Sequence, residues 1–383
     1  MDTSKFENVR NEQFPAALRC AYLDTATTGI IPKVSRDAAV AYLDSRCEYG
    51  MDIEGYLAQW DHADAMRPLA AEVINADADE IFFGDTGSGM VNVFSEGIPL
   101  GENANVVTSG LSFPSTVYTW FNRVGEDHVR IVEPENGAVT CERLFEQVDE
   151  NTEVISLCLV ENTSGWRHDL GRISSFCRER GIYLVIDATQ CAGAMRIDVK
   201  ETPVDFMFIT TYKWSLGLFG ISYAYVSRDV LDDIRPVAVG WTGNKDKHNH
   251  SRYLLDFLDG ARRFELGGLN WAGLTELEQS MKLYLSLGKE DVENYILGLT
   301  EYLYEKVDGL RDIEVVGPFP EKNRSGIVFL RLPEGSGIDE KALRRKGVSV
   351  HTPYETQMRV SMHYYNNRAD IDRLTDALRE YEK

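Results

Sequence analysis

Two short apolar runs, each closed by a polar group, constrain this chain more than any other feature. One is Tyr183-Leu184-Val185-Ile186-Asp187-Ala188-Thr189-Gln190; the other is Phe208-Ile209-Thr210-Thr211-Tyr212-Lys213-Trp214. Apolar runs of this length without polar alternation read as strands buried on both faces. Polar groups at the carboxyl ends of such strands stand where open α/β sheets place their ligand sites. Asp187 and Lys213 are therefore expected at one edge of one sheet.

Similar runs recur from about residue 20 to 230. They include Glu80 to Phe83, Ala104 to Val107, His128 to Val132, Val154 to Leu159, Tyr183 to Ile186 and Asp205 to Thr210. Between them lie helix-like segments such as Leu170 to Arg180, where Ile173, Phe176 and Cys177 repeat at helical spacing. Regular alternation of this kind predicts an α/β fold, a mostly parallel sheet flanked by helices. The pattern then changes. One long helical stretch is expected from Trp271 to Val307, then strand-like Ile313 to Val316 and Gly326 to Leu332, and a helix near Ile338 to Arg345. Val348 to Val350 and Met358 to Met362 read as further strands, with a closing helix at Ala369 to Glu382. The expected division is a large domain over residues 20–260 and a smaller C-terminal α+β domain over 261–383, with residues 1–19 packing nearby.

Charge narrows the partners. The 383 residues carry 40 basic and 61 acidic side chains, a net charge of −21. Phosphate backbones demand a concentrated basic surface, so nucleic acid is not expected, nor is an anionic membrane. No run of about 18 apolar residues predicts a membrane span. Met1 to Glu7 lacks an apolar signal core, so the expected location is cytoplasmic. The six cysteines show no metal-type spacing, are expected as reduced thiols, and none follows Cys191.

The residues with chemistry fall at strand ends. A nucleophilic lysine needs its pKa depressed by burial or positive neighbours, and Lys213 follows Phe206, Phe208 and Ile209. Asp187 closes an apolar strand, and a buried carboxylate needs a cationic partner unless it caps the next helix. Pyridoxal phosphate (PLP) chemistry needs this pair: an amine for the Schiff base and an acid opposite the pyridinium nitrogen. Gly84 to Asn92 follows a strand and opens a helix, a phosphate-binding geometry in which Thr210 and Tyr212 add hydroxyls. Phe113, after the Gly110 turn, is placed to stack on a planar ring or to serve as a core residue. Arg359 alternates with Met358 and Val360, and either faces solvent or offers its fork to a carboxylate.

Together these segments resemble the class V aminotransferase group of fold-type I PLP enzymes, which includes cysteine desulfurases, selenocysteine lyases, isopenicillin N epimerases and, more distantly, kynureninases. The resemblance runs from Tyr22-Leu23-Asp24-Thr25-Ala26-Thr27-Thr28 to Tyr365-Asn366-Asn367. It rests on Asp187-Ala188-Thr189-Gln190, Tyr212-Lys213-Trp214-Ser215-Leu216-Gly217, Arg263-Phe264-Glu265-Leu266-Gly267 and Arg359-Val360-Ser361-Met362-His363. It implies a seven-stranded type of large sheet and a homodimer whose sites are lined by both subunits. It further implies Lys213 as the internal aldimine, Asp187 as the pyridinium partner, and Gln190 at the cofactor's phenolic oxygen. Gly87 and Ser88 would bind its phosphate with Thr210 and Tyr212. Phe113 would stack on the ring, Asn162 would lie near cofactor and substrate, and Arg359 would grip the substrate carboxylate.

The departures bear on function. Desulfurases carry a nucleophilic cysteine on the loop before that arginine; Gly347 to Gln357 contains none. A persulfide needs a thiolate, so persulfide-forming desulfuration is not expected. The family's Gly-Thr-Pro-Asn is here Gly267-Gly268-Leu269-Asn270, without the hydroxyl, and Phe113 replaces a histidine. The expectation is a PLP enzyme acting on a small-molecule substrate, an α-amino acid, through a quinonoid intermediate. Lyase chemistry (C–S cleavage or β-elimination) or transamination ranks above epimerisation. A scaffold subunit that has lost catalysis is the other alternative. His351 and Tyr354 are the nearest candidates for substrate-specific contacts.

Overall fold

A computed structural model describes residues 3–246, 251 and 253–381. Its strands in chain order are β1 (Ala21–Tyr22), β2 (Ile81–Gly84), β3 (Asn105–Ser109), β4 (Val129–Val132), β5 (Thr152–Cys158), β6 (Tyr183–Asp187) and β7 (Phe206–Thr210). They continue with β8 (Ser222–Val226), β9 (Glu314–Val315), β10 (Ile327–Arg331), β11 (Val348–Ser349), β12 (His351–Tyr354) and β13 (Gln357–Ser361). Seven of them form one sheet in the order β2-β8-β7-β6-β5-β3-β4. Pairing is parallel from β7 through β4, and β8 runs antiparallel to both its neighbours. The fold is thus the α/β, mostly parallel class expected.

Side-chain alternation builds both faces of that sheet. Val154, Val185, Phe206 and Phe208 join an apolar layer with Val91 and Phe94 of the helix Gly87–Gly97. Their neighbours Ile155, Leu184, Ile186, Met207 and Ile209 point the other way into a larger layer. Ala261 and Phe264, just beyond the expected division, pack in the first layer. The core strands carry no polar alternation because neither face meets water.

The C-terminal part holds a four-stranded antiparallel sheet, order β12-β13-β10-β9. The strand β1 pairs with β11, so the N-terminal segment is tied to the C-terminal one. Arg10 reinforces this with a buried two-pronged bond to Asp370 at 2.6 and 2.9 Å, and Phe6 stacks on Tyr295 at 4.1 Å.

Three expectations need correction. The long helix from Trp271 to Val307 is two helices, Trp271–Leu287 and Lys289–Asp308, divided at Gly288. Gly288 has φ +83°, a conformation that side chains other than glycine's resist and that helical periodicity does not reveal. Ser222-Tyr223-Ala224-Tyr225-Val226 is a central strand that no expectation included. The presumed loop before Arg359 is largely the paired strands β12 and β13. Among the described residues, no helix is long and apolar enough to cross a membrane.

Candidate active site

The carboxyl ends of β5, β6 and β7 open onto a cavity of about 290 Å³. Gly87, Ser88, Phe113, Asn162, Asp187, Gln190, Thr210, Tyr212 and Lys213 all line it. Nine of the ten residues singled out from sequence therefore converge on one space. The tenth, Arg359, reaches its rim and donates to the backbone oxygen of Asn162 at 3.4 Å.

Asp187 and Lys213 face each other electrically without forming an ion pair. Burial pushes the Asp187 carboxyl up; the N–H of Thr189, 2.8 Å from Oδ1, and the charge of Lys213 oppose this only in part. Burial likewise pushes the Lys213 amine down, with Arg359 adding repulsion and Asp187 opposing. Both groups are thus drawn toward neutrality, as desolvation requires of charges without close partners. A protonated heteroaromatic nitrogen beside Asp187 would supply the missing counter-charge.

At the other end of the cavity the helix Gly87–Gly97 begins. Thr86 caps it, accepting from the N–H of Gly89 at 3.0 Å, and first-turn N–H groups have no carbonyl of their own helix to bond. A side chain at position 87 would collide with the Thr210 hydroxyl and the Phe208 ring, so glycine is what lets this turn meet β7. Ser88 Oγ lies 2.7 Å from Ser115 Oγ. Such an array of free N–H and hydroxyl groups suits a phosphate.

The cavity walls complete a slot for a planar ring. The Phe113 ring centroid is 5.3 Å from Lys213 Nζ, and the ring is 42% exposed, so it is a cavity wall and not a core residue. Its position is pinned from beneath, where its N–H donates to Cys158 Sγ at 3.3 Å. Gln190 accepts from Trp214 Nε1 at 2.6 Å and donates to Ala26 O at 3.2 Å. Asn162 Oδ1 is buried with no partner among the described residues. Tyr212 stacks on Phe219 at 4.0 Å.

Arg359 faces inward, only 7% exposed. Its guanidinium bonds Thr27 Oγ1 and approaches Asp24 Oδ1 at 3.4 Å, while Nε is buried without a partner. Sequence reasoning missed Asp24 and Thr27 as its supports, and it missed Cys158, Thr189, Phe219 and Gly220 as cavity residues. Cys158 ends β5, so the strand-end rule that found Asp187 applies to it as well.

A buried acid, a lysine whose pKa burial lowers and a helix N-terminus around one slot are the features of a PLP-dependent enzyme of fold type I. The sequence comparison agrees: a family model described as aminotransferase class-V matches residues 21–374, and the chain belongs to that family. The chain is 28% identical over 334 residues to a probable cysteine desulfurase of Methanothermobacter thermautotrophicus, covering 82% of each. A kynureninase of Bacillus cereus is 26% identical, with 85% of this chain and 80% of that protein covered. A solved complex of the cystine C–S lyase C-DES with cysteine persulfide superposes with a TM-score of 0.88 at 19% identity, covering 96% and 99%. The cofactor of the family is PLP, and this chain is a PLP-dependent enzyme of that family, with cysteine desulfurases and kynureninases among its relatives.

Proposed function

We propose that the protein is a lyase acting on an α-amino acid, releasing a substituent from the β-carbon without forming an enzyme persulfide. The observation that carries this reading is Lys213 lining the same cavity as the buried Asp187, its pKa lowered by burial, joined to the absence of any cysteine after Cys191. When bound, PLP supplies an electron sink for charge developing at the substrate's α-carbon.

The chain's own residues supply the rest. Lys213 Nζ would hold the cofactor and, when free, would take the α-proton as a general base, a role that its lowered pKa favours. Asp187 would hold a proton on the cofactor's ring nitrogen, which would supply the counter-charge that the buried carboxyl lacks. Gly87, Ser88, Thr210 and Tyr212 hold the phosphate, Phe113 covers the ring, and Gln190 and Asn162 flank it. Arg359, braced by Asp24 and Thr27, grips the α-carboxylate. Phe113 packs without carrying a proton.

Persulfide chemistry lacks its nucleophile. The thiol in the cavity is Cys158, which is 2% exposed, and burial raises its pKa well above the ordinary value. Its Sγ lies 3.9 Å from Asp187 Oδ2, at the acid end of the slot and away from Arg359's carboxylate grip. A homodimer and a cytoplasmic location are part of the same proposal. Exposed Val40, Leu43, Tyr49, Ile53, Tyr56 and Leu57, on or beside the helices Lys33–Tyr49 and Ile53–Ile74, offer an apolar face for a second copy.

The test is a panel of amino acids incubated with the holoenzyme, with pyruvate, ammonia, sulfide and keto acids assayed. Pyruvate and ammonia formed without an added acceptor support the lyase. Turnover only with a keto-acid acceptor makes the protein a transaminase, and loss of optical activity without net product makes it an epimerase.

A further inference from the structure

The segment expected to be a loose loop before Arg359 is instead β12, and its first residue is His351. His351 stands directly opposite Arg359 in the β12–β13 ladder, ahead of the irregularity that separates it from Tyr354. Directly paired residues on adjacent antiparallel strands project to the same face, with Cβ atoms about 5 Å apart. That face is the cavity side, because Arg359 there meets Asp24, Thr27 and Asn162.

The ring is also oriented. His351 Nδ1 lies 2.8 Å from Glu340 Oε1, and the same oxygen accepts the N–H of Thr352 at 2.8 Å. A carboxylate can only accept, so Nδ1 carries a proton, and in the neutral imidazole this leaves the lone pair on Nε2. Burial pushes the Asp24 carboxyl up and the Arg359 guanidinium down, with His351 opposing the first shift and Glu340 the second. The His351 side chain is 40% exposed, which leaves it open to a molecule arriving from solvent. Tyr354, 69% exposed and past the irregularity, lacks these restraints.

We propose that His351, held by Glu340, is the specificity-determining residue that reads the substrate's side chain. Its Nε2 lone pair accepts a hydrogen bond from a hydroxyl or thiol on the amino acid whose α-carboxylate lies on Arg359. The inference rests on the reading of Arg359 as the carboxylate grip. A carboxylate-fixed histidine beside a carboxylate-binding arginine measures a short distance, that from the α-carboxylate to a donor on the β-carbon. Amino acids with an alkyl group there leave Nε2 unpaired and gain nothing from it.

The experiment titrates the holoenzyme with L-serine and with L-alanine, which differ by one hydroxyl, and follows the cofactor's visible absorbance. Serine is expected to bind about fivefold tighter. His351→Phe abolishes that preference through serine alone, with alanine affinity changed less than about twofold. His351→Gln, whose side-chain oxygen can accept from a similar position, restores part of it, and Glu340→Ala weakens it. Equal weakening of both ligands by His351→Phe, or an unchanged preference, overturns the proposal. Arg359→Gln serves as the separate check. If it leaves both affinities intact, the carboxylate grip itself is wrong and the proposal falls with it.

Discussion

Two buried pairs of opposite charge in this molecule have opposite fates. Arg67 and Glu265 are 6% and 1% exposed and close every valence: bonds of 2.7 and 2.9 Å join them, Arg67 also donates to Ile81 O, and Glu265 accepts from the N–H of Phe83. Asp187 is likewise buried and Lys213 partly so, yet they make no salt bridge; burial drives each toward its neutral form. The first pair is architecture, clamping the helix Ile53–Ile74 to β2 and to the segment that follows the 3-10 helix Ala261–Phe264. The second is an unfinished circuit that a cofactor completes. Buried charge left open, and not buried charge as such, marks the reactive part of the fold.

The contrast can be broken most severely at Lys213. Lys213→Ala should lower turnover on the order of 10³-fold and abolish the borohydride-fixed mass increment of the cofactor on the protein. An undiminished increment would remove the lysine from its role. Stability should respond in the reverse order. Glu265→Ala strands Arg67 in the interior and should cost about 3–5 kcal/mol in a urea titration of the apoprotein. Asp187→Asn, which deletes a charge that lacks a partner, should cost less than about 1 kcal/mol while impairing cofactor retention. Equal destabilisation by both variants would erase the distinction.

Arg359→Gln keeps bulk and removes charge. It should raise KM for the amino acid roughly 10- to 100-fold, the worth of a charge-assisted pair, with kcat less affected. A pH effect is expected at Glu276, a buried carboxyl that accepts from Leu218 N–H and Ser280 Oγ near the Phe219–Gly220 wall of the cavity. Burial pushes its pKa up to about 8. The folded state then holds a proton that the unfolded chain releases, so stability falls as pH rises from about 4.5 to 8 and levels off above that. Glu276→Gln should flatten that portion of the pH–stability curve measured by urea unfolding.

How much of this was legible beforehand varies by residue. Lys213, Asp187 and the Gly87–Ser88 turn each end or follow an apolar run, and the strand-end rule converts that position into a shared edge. Glu265 read as part of a family motif, yet nothing local distinguishes a motif kept for clamping Arg67 from one kept for chemistry. β8 was missed because a strand inserted antiparallel between β2 and β7 leaves no βαβ signature in the chain order. His351 looked like a loop residue, since the Thr352-Pro353 that follows it hides a strand that exists only by pairing with β13.

Apolar periodicity was enough to specify the layered α/β scaffold and the strand ends that carry the reactive groups, because burial acts on each segment's own side chains. Which charges found partners, which face Arg359 took, and what stands beside it depended on contacts between distant segments. Those quantities arise from register and desolvation, and neither exists until the chain has closed on itself.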